Sequence, residues 1–199
     1  MNILKGPKDE VFGCVSVTRN LSRCGESREV RKLESSQDAI ISSISNVVNA
    51  SSDVVGVFPE LSAKIQQLTP FDRITIAQLD DGRALAQNIA VEGLDLAERG
   101  LHDEYGLAGT LAVEACKVGA SVLCHDGSCE EILSEYPGMS GYSQAGLRSF
   151  VAARLVNNGS IVGVLELSST QPGAYSLADV EMIEQAAGLI GTLMLNAQR

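Results

Sequence analysis

The sequence predicts an α+β fold in which strand hairpins lie between long helices near the two ends of the chain. Three observations predict it: 45% hydrophobic and 20% charged residues, two hairpin signals, and two stretches whose apolar residues recur at alternating three- and four-residue steps. With 199 residues the chain is long enough for one substantial core, since domains commonly hold about 100 to 200 residues. We therefore expect one main domain.

The composition also limits the expected partners and compartment. The formal net charge is −10, so the phosphate backbone of a nucleic acid would be repelled on average and nucleic acid is not an expected partner. No apolar run has membrane length, and residues 1–10 lack the apolar core of a secretory signal. Five cysteines without disulfide spacing fit a reducing compartment. We expect a cytoplasmic chain without membrane insertion.

The chain opens with a short predicted strand. Val11 to Leu21 holds β-branched and aromatic residues after the turn signal Lys5-Gly6-Pro7, and the polar run Ser22 to Ser27 that follows is typical of a linker.

A long helix with a heptad seam is predicted next. Such a seam is usually buried against a partner helix. The seam positions are Val30, Leu33, Gln37, Ile40, Ile44 and Val47. Ser51-Ser52-Asp53 then offers an N-cap for a second helix, which Pro70 stops.

The first hairpin follows. Its strands are predicted at Phe71 to Asp80 and Ala84 to Val91, with Asp81-Gly82 as the turn. Alternation places Ile74 and Ile76 on one face of the sheet and Thr75 and Ala77 on the other.

The middle of the chain is predicted to be loop-rich. Leu94 to Gly106 has the mixed polarity of a long functional loop, Gly109 to Val118 predicts a short helix closed by Gly119, and Ser121 to Cys124 a brief strand. An acidic helix is predicted at Glu130 to Tyr136. We expect the run Pro137-Gly138-Met139-Ser140-Gly141 to be flexible and to form a lid or pocket wall.

The second hairpin is the clearer one. Arg148 to Val156 and Ser160 to Leu167 flank Asn157-Asn158-Gly159, where glycine supplies the positive φ of a tight turn. The apolar residues of the second strand indicate that it is covered on both faces.

A closing helix is predicted from Ser176, with Asp179 completing a capping box, to the chain end. Its seam repeats the spacing of the early helix at Val180, Ile183, Ala187, Ile190 and Met194. This helix also carries small residues, which would let another helix approach closely: Ala186, Ala187, Gly188 and Gly191.

Signals for catalysis are weak. The chain has two histidines and neither a Walker A nor a dinucleotide-binding glycine pattern. The segment Cys124-His125-Asp126-Gly127-Ser128-Cys129 brings two thiols, an imidazole and a carboxylate together, which leaves zinc or redox use open against a strand end with incidental thiols. No spacing matches a standard zinc pattern, so we expect no metal and no enzyme.

The order of these elements and several phrases resemble the GAF family over about Ser36 to Ala197. The phrases are Pro70-Phe71-Asp72-Arg73-Ile74-Thr75-Ile76, Gly109-Thr110, Ala145-Gly146-Leu147-Arg148-Ser149, Gly163-Val164-Leu165-Glu166-Leu167-Ser168-Ser169-Thr170 and Gly173-Ala174-Tyr175-Ser176. The resemblance implies a central antiparallel sheet of about six strands, terminal helices packed on one face, and a ligand pocket on the other. It also implies a non-catalytic sensory domain of a sensor kinase or related two-component signalling protein, with the terminal helices pairing in a homodimer.

The pocket implied by the resemblance is walled by the sheet and by the loops Leu94 to Ala108 and Cys129 to Gly146. The candidate ligand contacts are Phe71, Arg73, Ala108, Cys124, His125, Cys129, Tyr136, Tyr142, Leu147 and Arg148. The ligand is an unknown small molecule. The alternative is a ligand-free dimerisation spacer in a multidomain protein.

This chain departs from several known branches of the family, which reduces the number of candidate cofactors and activities. GAF-like methionine sulfoxide reductases carry a cysteine just before the Gly-Thr pair, where this chain has Ala108. Cys124-His125 resembles a bilin-attachment dipeptide, but it lies in a predicted strand, and only 4% of the residues are aromatic. The cyclic-nucleotide pattern is not matched, so no cofactor is assigned.

The segment Asp9 to Leu21 is similar to the last strand of a PAS domain, against the alternative of an ordinary N-terminal strand or leader. We therefore divide the chain into a PAS-exit-like strand and linker at 1–27, a signalling helix at 28–50 and the GAF-like domain at 51–199.

Overall fold

The computed structural model describes residues 2–5, 11–15, 28–80, 82, 84–119, 121–124 and 129–194. Within these ranges one sheet runs through the molecule and separates two buried apolar clusters. The α+β fold that the sequence predicts is confirmed.

The sheet holds eight strands among the described residues. They are β1 (Asn2–Lys5), β2 (Val11–Val15), β3 (Arg73–Leu79), β4 (Leu85–Gly93), β5 (Glu104–Gly106), β6 (Val122–Cys124), β7 (Ser149–Asn157) and β8 (Ser160–Ser169). Their order is β2-β1-β6-β7-β8-β3-β4-β5. The six strands from β6 to β5 pair antiparallel, as expected, and β1 joins the edge strand β6 in parallel. The sequence reasoning missed β1, which has only four residues, and β5, which lies at the end of the segment predicted as a loop.

Six α-helices of the described chain pack on the two faces of this sheet. They are α1 (Arg28–Asn49), α2 (Val54–Leu68), α3 (Leu111–Val118), α4 (Cys129–Glu135), α5 (Ser140–Gln144) and α6 (Leu177–Gly191). The long helices α1, α2 and α6 pack together on one face, which we call the helix face. The short helices α3 to α5 cover the other, which we call the site face.

Local signals in the sequence fix the ends of these elements. The Asp53 side chain accepts hydrogen bonds from the first-turn amides of α2, and Ser176 and Asp179 form the expected capping box of α6. Gly119 ends α3 with a left-handed φ of 70°. Asn158 and Gly159 take φ values of 47° and 80° in the β7–β8 turn, which the twist of a tight hairpin requires.

The expected flexibility of residues 137–141 is wrong. Pro137–Met139 forms a 3-10 helix that continues into α5, and Met139 is buried. An apolar side chain in the middle of the run anchors it to the site face, where the Gly and Pro content alone favours a loop.

The seam of α6 faces this chain's own core. Val180, Ile183, Ala187, Ile190 and Met194 are each at most 2% exposed and belong to the helix-face cluster. A partner helix would reach these side chains only by displacing the sheet. The dimer contacts predicted along α6 stay a prediction, and the helix ends at Gly191 where the sequence predicted that it runs to the chain end.

The seam of α1 is buried to different degrees along the helix. Ile44 is fully buried in the helix-face cluster, Ile40 and Val47 are half-buried against it, and the side chains of Val30 and Leu33 lie outside the described residues. The dimer contacts proposed along α1 therefore stay a prediction.

Candidate ligand site

A group of polar side chains is buried in the site face, where the rest of the cluster is apolar. It comprises Arg73, Thr75, Asn88, Tyr105, Tyr142 and Glu166, each at most 8% exposed. Buried polar groups are costly unless they are paired, so this concentration marks the site. Between Leu111, Met139, Phe150 and the Glu166 side chain, the described residues leave a cavity of about 10 Å³, which is room for about one water molecule.

Glu166 lies at the centre of the sheet. Its strand, β8, runs between β3 and β7, and Thr75 is its direct neighbour on β3. Glu166 Oε2 accepts hydrogen bonds from Tyr142 Oη at 3.1 Å and from Thr75 Oγ1 at 3.3 Å. The alternation of strands places Glu166 on the site face while Leu165 and Leu167 enter the helix-face cluster.

Arg73 is fully buried at the start of β3 and holds the loop of residues 94–103, which we call the β4–β5 loop. Its Nη1 donates to the carbonyl of Leu94 at 2.6 Å, and its Nη2 donates to the carbonyl of Arg99. Asn88 Nδ2 donates to the same Arg99 carbonyl at 2.7 Å. Two side chains of the sheet thereby fix the backbone of the loop.

The Arg99 side chain reaches from this loop into the site. Its Cζ lies 3.7 Å from the ring centroid of Tyr105 and 5.7 Å from that of Tyr142, both within cation–π range. Its Nη2 donates to the carbonyl of Gly138 at 3.1 Å. Arg99 thus bridges the β4–β5 loop and the 3-10 helix.

The loop is held in an uncommon backbone conformation. Glu98 and His102 take φ values of 58° and 69°, which cost side-chain-bearing residues about 1 kcal/mol or more. Such conformations persist where the surroundings fix them, and they occur often at ligand sites.

Within the part of the chain that the structure describes, three atoms of this polar group have no hydrogen-bond partner: Arg73 Nε, Asn88 Oδ1 and Tyr105 Oη. The Arg99 guanidinium lies over the Tyr105 ring and does not meet its hydroxyl in hydrogen-bonding geometry. A buried unpaired polar atom costs about 1–3 kcal/mol, and its usual partner is a water molecule or a ligand.

Burial dominates the electrostatics of the site. It raises the pKa of the Glu166 carboxyl, and the charge of Arg99 and the hydrogen bond from Tyr142 oppose that rise. Burial also raises the pKa of Tyr105 and Tyr142 and lowers that of Arg73. A cation placed beside Glu166 would favour the ionised carboxylate.

The structure brings some of the predicted contacts into the site face and leaves others outside. Arg73 and Tyr142 belong to the polar group, and Tyr136 and Leu147 are buried in the apolar wall. Phe71 packs against the opposite, helix-face cluster, and hydrogen bonds between its backbone and the side chain of Gln66 tie it to α2. Ala108 is exposed. Arg148 Nη1 donates hydrogen bonds to the nearby carbonyls of Ser143 and Leu147, so these contacts stabilise the turn before β7.

The thiol segment is only partly described. His125 lies outside the described residues, and so do the side chains of Cys124 and Cys129, which belong to β6 and α4. Elsewhere in the described chain, no three His, Cys, Asp or Glu side chains are placed to hold a metal ion. None of the helices that the structure describes is long and apolar enough to span a membrane.

Sequence reasoning missed Asn88, Arg99, Tyr105 and Glu166. A lone carboxylate between Leu165 and Leu167 was a usable signal, because a charge in a strand covered on both faces must be buried. Arg99 gave no signal, since an arginine in a polar loop is ordinarily exposed and only the three-dimensional structure shows its contact with two tyrosines.

The sequence profile of a family described as GAF domain matches residues 51–194. Among solved structures, the GAF domain of an Acinetobacter phosphoenolpyruvate-protein phosphotransferase is similar, with 16% identity, a TM-score of 0.63, and coverage of 81% of this chain and 94% of that chain. Free methionine-R-sulfoxide reductase from Neisseria meningitidis, solved with its substrate, has 14% identity, a TM-score of 0.65, and coverage of 88% and 96%.

The GAF domain of a two-component sensor histidine kinase from Bacillus halodurans has 16% identity, a TM-score of 0.62, and coverage of 74% of this chain and 97% of that chain. The comparison with curated protein sequences gives no match. At these identities the structural likeness demonstrates a shared fold.

Proposed function

Because the chain belongs to the GAF domain family, we propose that it is a regulatory domain that binds a small molecule in the polar site of the site face and signals through its terminal helices. The observation that carries the proposal is the buried polar group around Glu166, with three unpaired polar atoms. A core selected for stability alone would replace such groups with apolar ones. A ligand would supply their missing partners.

The route to the helices runs through shared strands. Glu166 and Thr75 face the site, and their neighbours Leu165 and Ile76 pack under the terminal helices. A ligand alters the helices only if it binds one arrangement of this sheet more tightly than another. A two-component sensor, as in the Bacillus halodurans protein, is the proposed setting, with residues 28–50 as the signalling helix.

The test is a thermal-shift screen of the whole chain against anionic, cationic and neutral metabolites, nucleotides, haem and bilin. A ligand at 100 times its Kd should add about 2.7 kcal/mol to the free energy of unfolding. We expect the gain to be lost in Tyr142→Phe, which removes the hydroxyl bonded to Glu166, and kept in Arg154→Ala, outside the polar group. Absence of stabilisation by every class would refute ligand binding, and so would equal stabilisation of the Tyr142→Phe variant.

One observation favours a second candidate, a ligand-free dimerisation spacer: beside Glu166, the described side chains leave a cavity of only about 10 Å³. Since the α6 seam is buried in its own chain, this candidate needs the early part of α1 as the dimer contact. Light scattering should then give a dimer for the wild type and a monomer for Val30→Glu with Leu33→Glu. A monomeric wild type eliminates the spacer.

A further inference from the structure

We infer that the Arg99 side chain occupies the place of the ligand, and that the ligand bound there carries an organic cation, a guanidinium or primary ammonium group, which displaces Arg99. This inference rests on the proposed function and adds the chemical class of the ligand. It also makes Arg99 a built-in competitor for the site.

The surroundings of the Arg99 guanidinium are electron-rich. It lies over the Tyr105 ring and near the Tyr142 ring, and it donates to the carbonyl oxygen of Gly138. The negatively polarised ring faces attract a cation and repel an anion. The Glu166 carboxyl, which senses the charge of Arg99, adds a further acceptor.

The other cation of the site is not available to an anionic ligand. Both Nη atoms of Arg73 already donate to carbonyls of the β4–β5 loop, and Arg73 is only 1% exposed. Asn88 Oδ1, one of the unpaired atoms, is a buried acceptor and suits an N–H donor. The site therefore offers an unpaired hydrogen-bond acceptor and favours a cation that carries N–H donors over a carboxylate or a phosphate.

Arg99 is able to leave while its loop stays in place. The Arg99 carbonyl is held by Arg73 and Asn88, so the backbone is fixed from the sheet. The side chain is half-buried and donates a hydrogen bond to the carbonyl of Gly138. Rotation of this side chain exchanges one cation for another, so the net charge of the site is unchanged when the ligand enters.

Displacement also separates two segments. The Arg99 contact with Gly138 joins the β4–β5 loop to the 3-10 helix, which packs against α4 and α5. Entry of the ligand breaks this contact and frees the 3-10 helix from the loop. The same step that admits the ligand thus changes the structure around it.

Calorimetric titrations of wild type and Arg99→Ala with ethylguanidinium chloride test the inference, with neutral ethylurea and anionic propionate as matched probes. Removing Arg99 abolishes its competition, and a competing cation–π contact is equivalent to about a tenfold change in Kd. We expect ethylguanidinium to bind Arg99→Ala about tenfold more tightly than wild type. Adding Glu166→Gln should cost about tenfold, and Arg154→Ala should match wild type.

A second measurement uses the wild type alone, so the test does not depend on the folding of a variant. The amide resonance of Met139, whose peptide group contains the Gly138 carbonyl, should shift when ethylguanidinium displaces Arg99 and stay unchanged with ethylurea.

Two results overturn the inference. One is propionate binding that weakens in Arg99→Ala, which would make Arg99 an anion-binding residue and leave the proposed function standing. The other is ethylguanidinium affinity that is unchanged by Arg99→Ala, with a Met139 resonance that does not move. Loss of the proposed function itself would appear separately, as a metabolite screen in which no class of compound binds.

Discussion

Asp72, just before β3, and Glu166, in β8, are two carboxyl groups whose pKa values shift in opposite directions. The backbone and side-chain hydrogen bonds from Thr170 lower the pKa of Asp72, assisted by the hydroxyl of Ser169. Glu166 also accepts two hydrogen bonds, yet burial raises its pKa. Three donors to one partly exposed oxygen outweigh desolvation, whereas two hydroxyl donors in a closed interior do not.

Asp72→Asn is the first prediction at this scale. Asp72 Oδ2 accepts from Thr170 N at 2.6 Å, from Thr170 Oγ1 at 2.8 Å and from Ser169 Oγ at 3.0 Å. Replacing the charged acceptor with a neutral one should lower the free energy of unfolding by about 1–2 kcal/mol near neutral pH. Urea unfolding followed by far-UV circular dichroism measures this loss.

The pH dependence of that loss has a definite sign. The pKa of Asp72 is lower in the folded chain than in the unfolded one, so its stabilisation is complete above the unfolded value of about 3.9 and disappears as pH falls through the folded value. The difference between wild type and Asp72→Asn should therefore shrink below about pH 4. Asp38→Asn, an exposed position on α1, is the control, and a difference that persists at low pH would contradict the assignment.

At the scale of elements, two glycines of α6 illustrate different requirements for close packing. A Cβ at Gly191 would lie 2.6 Å from Val156 O and 2.8 Å from Val156 N, because α6 crosses β7 closely there. A Cβ at Gly188 would meet no atom within 4 Å. The close approach that the small residues predicted is real at Gly191, but the neighbour is a strand of the sheet and not a second helix.

Alanine substitutions at these two positions should have opposite effects. Gly191→Ala forces α6 away from β7 and should cost about 1–3 kcal/mol in the free energy of unfolding. Gly188→Ala should add about 0.5–1 kcal/mol, since alanine is the better helix former and the site is open. Chemical unfolding of both variants makes the comparison, and equal effects at the two positions would show that α6 does not approach the sheet as described.

Local chemistry explains why most elements were predictable. The Asp53 cap, the capping box at Ser176 and the turn at Asn158 are signals carried by a few adjacent residues. The 3-10 helix at Pro137–Met139 was not predictable in this way, because Met139 is ordered by packing against residues distant in the sequence. The same limit applies to α6, whose heptad spacing fits a sheet as well as a partner helix.

At the scale of the whole molecule, one sheet divides a stabilising side from a recognition side. The helix face also holds single unpaired hydroxyls, those of Ser62 and Tyr175, whereas the site face brings the unpaired atoms of Arg73, Asn88 and Tyr105 together in one polar group. The sequence indicated this division through the alternation of Ile74 and Ile76 with Thr75 and Ala77, which the structure confirms. It did not indicate that Arg99 closes the site, because that contact joins a loop to residues about forty positions away.

Since both clusters share their strands, the two faces should unfold together. Ile183 is fully buried in the helix-face cluster, so Ile183→Ala should cost about 2–5 kcal/mol. Three of the four tyrosines lie in the site-face cluster: Tyr105, Tyr136 and Tyr142. Their near-UV circular dichroism therefore reports on the packing of that face. We expect their transition and the far-UV transition to move to lower denaturant concentration by the same amount.

Val55→Ala, at an exposed position of α2, should change stability by less than about 0.5 kcal/mol. A tyrosine transition that stays in place while the far-UV transition moves would mean that the site face folds independently, and the helices would then have no route by which to sense a ligand.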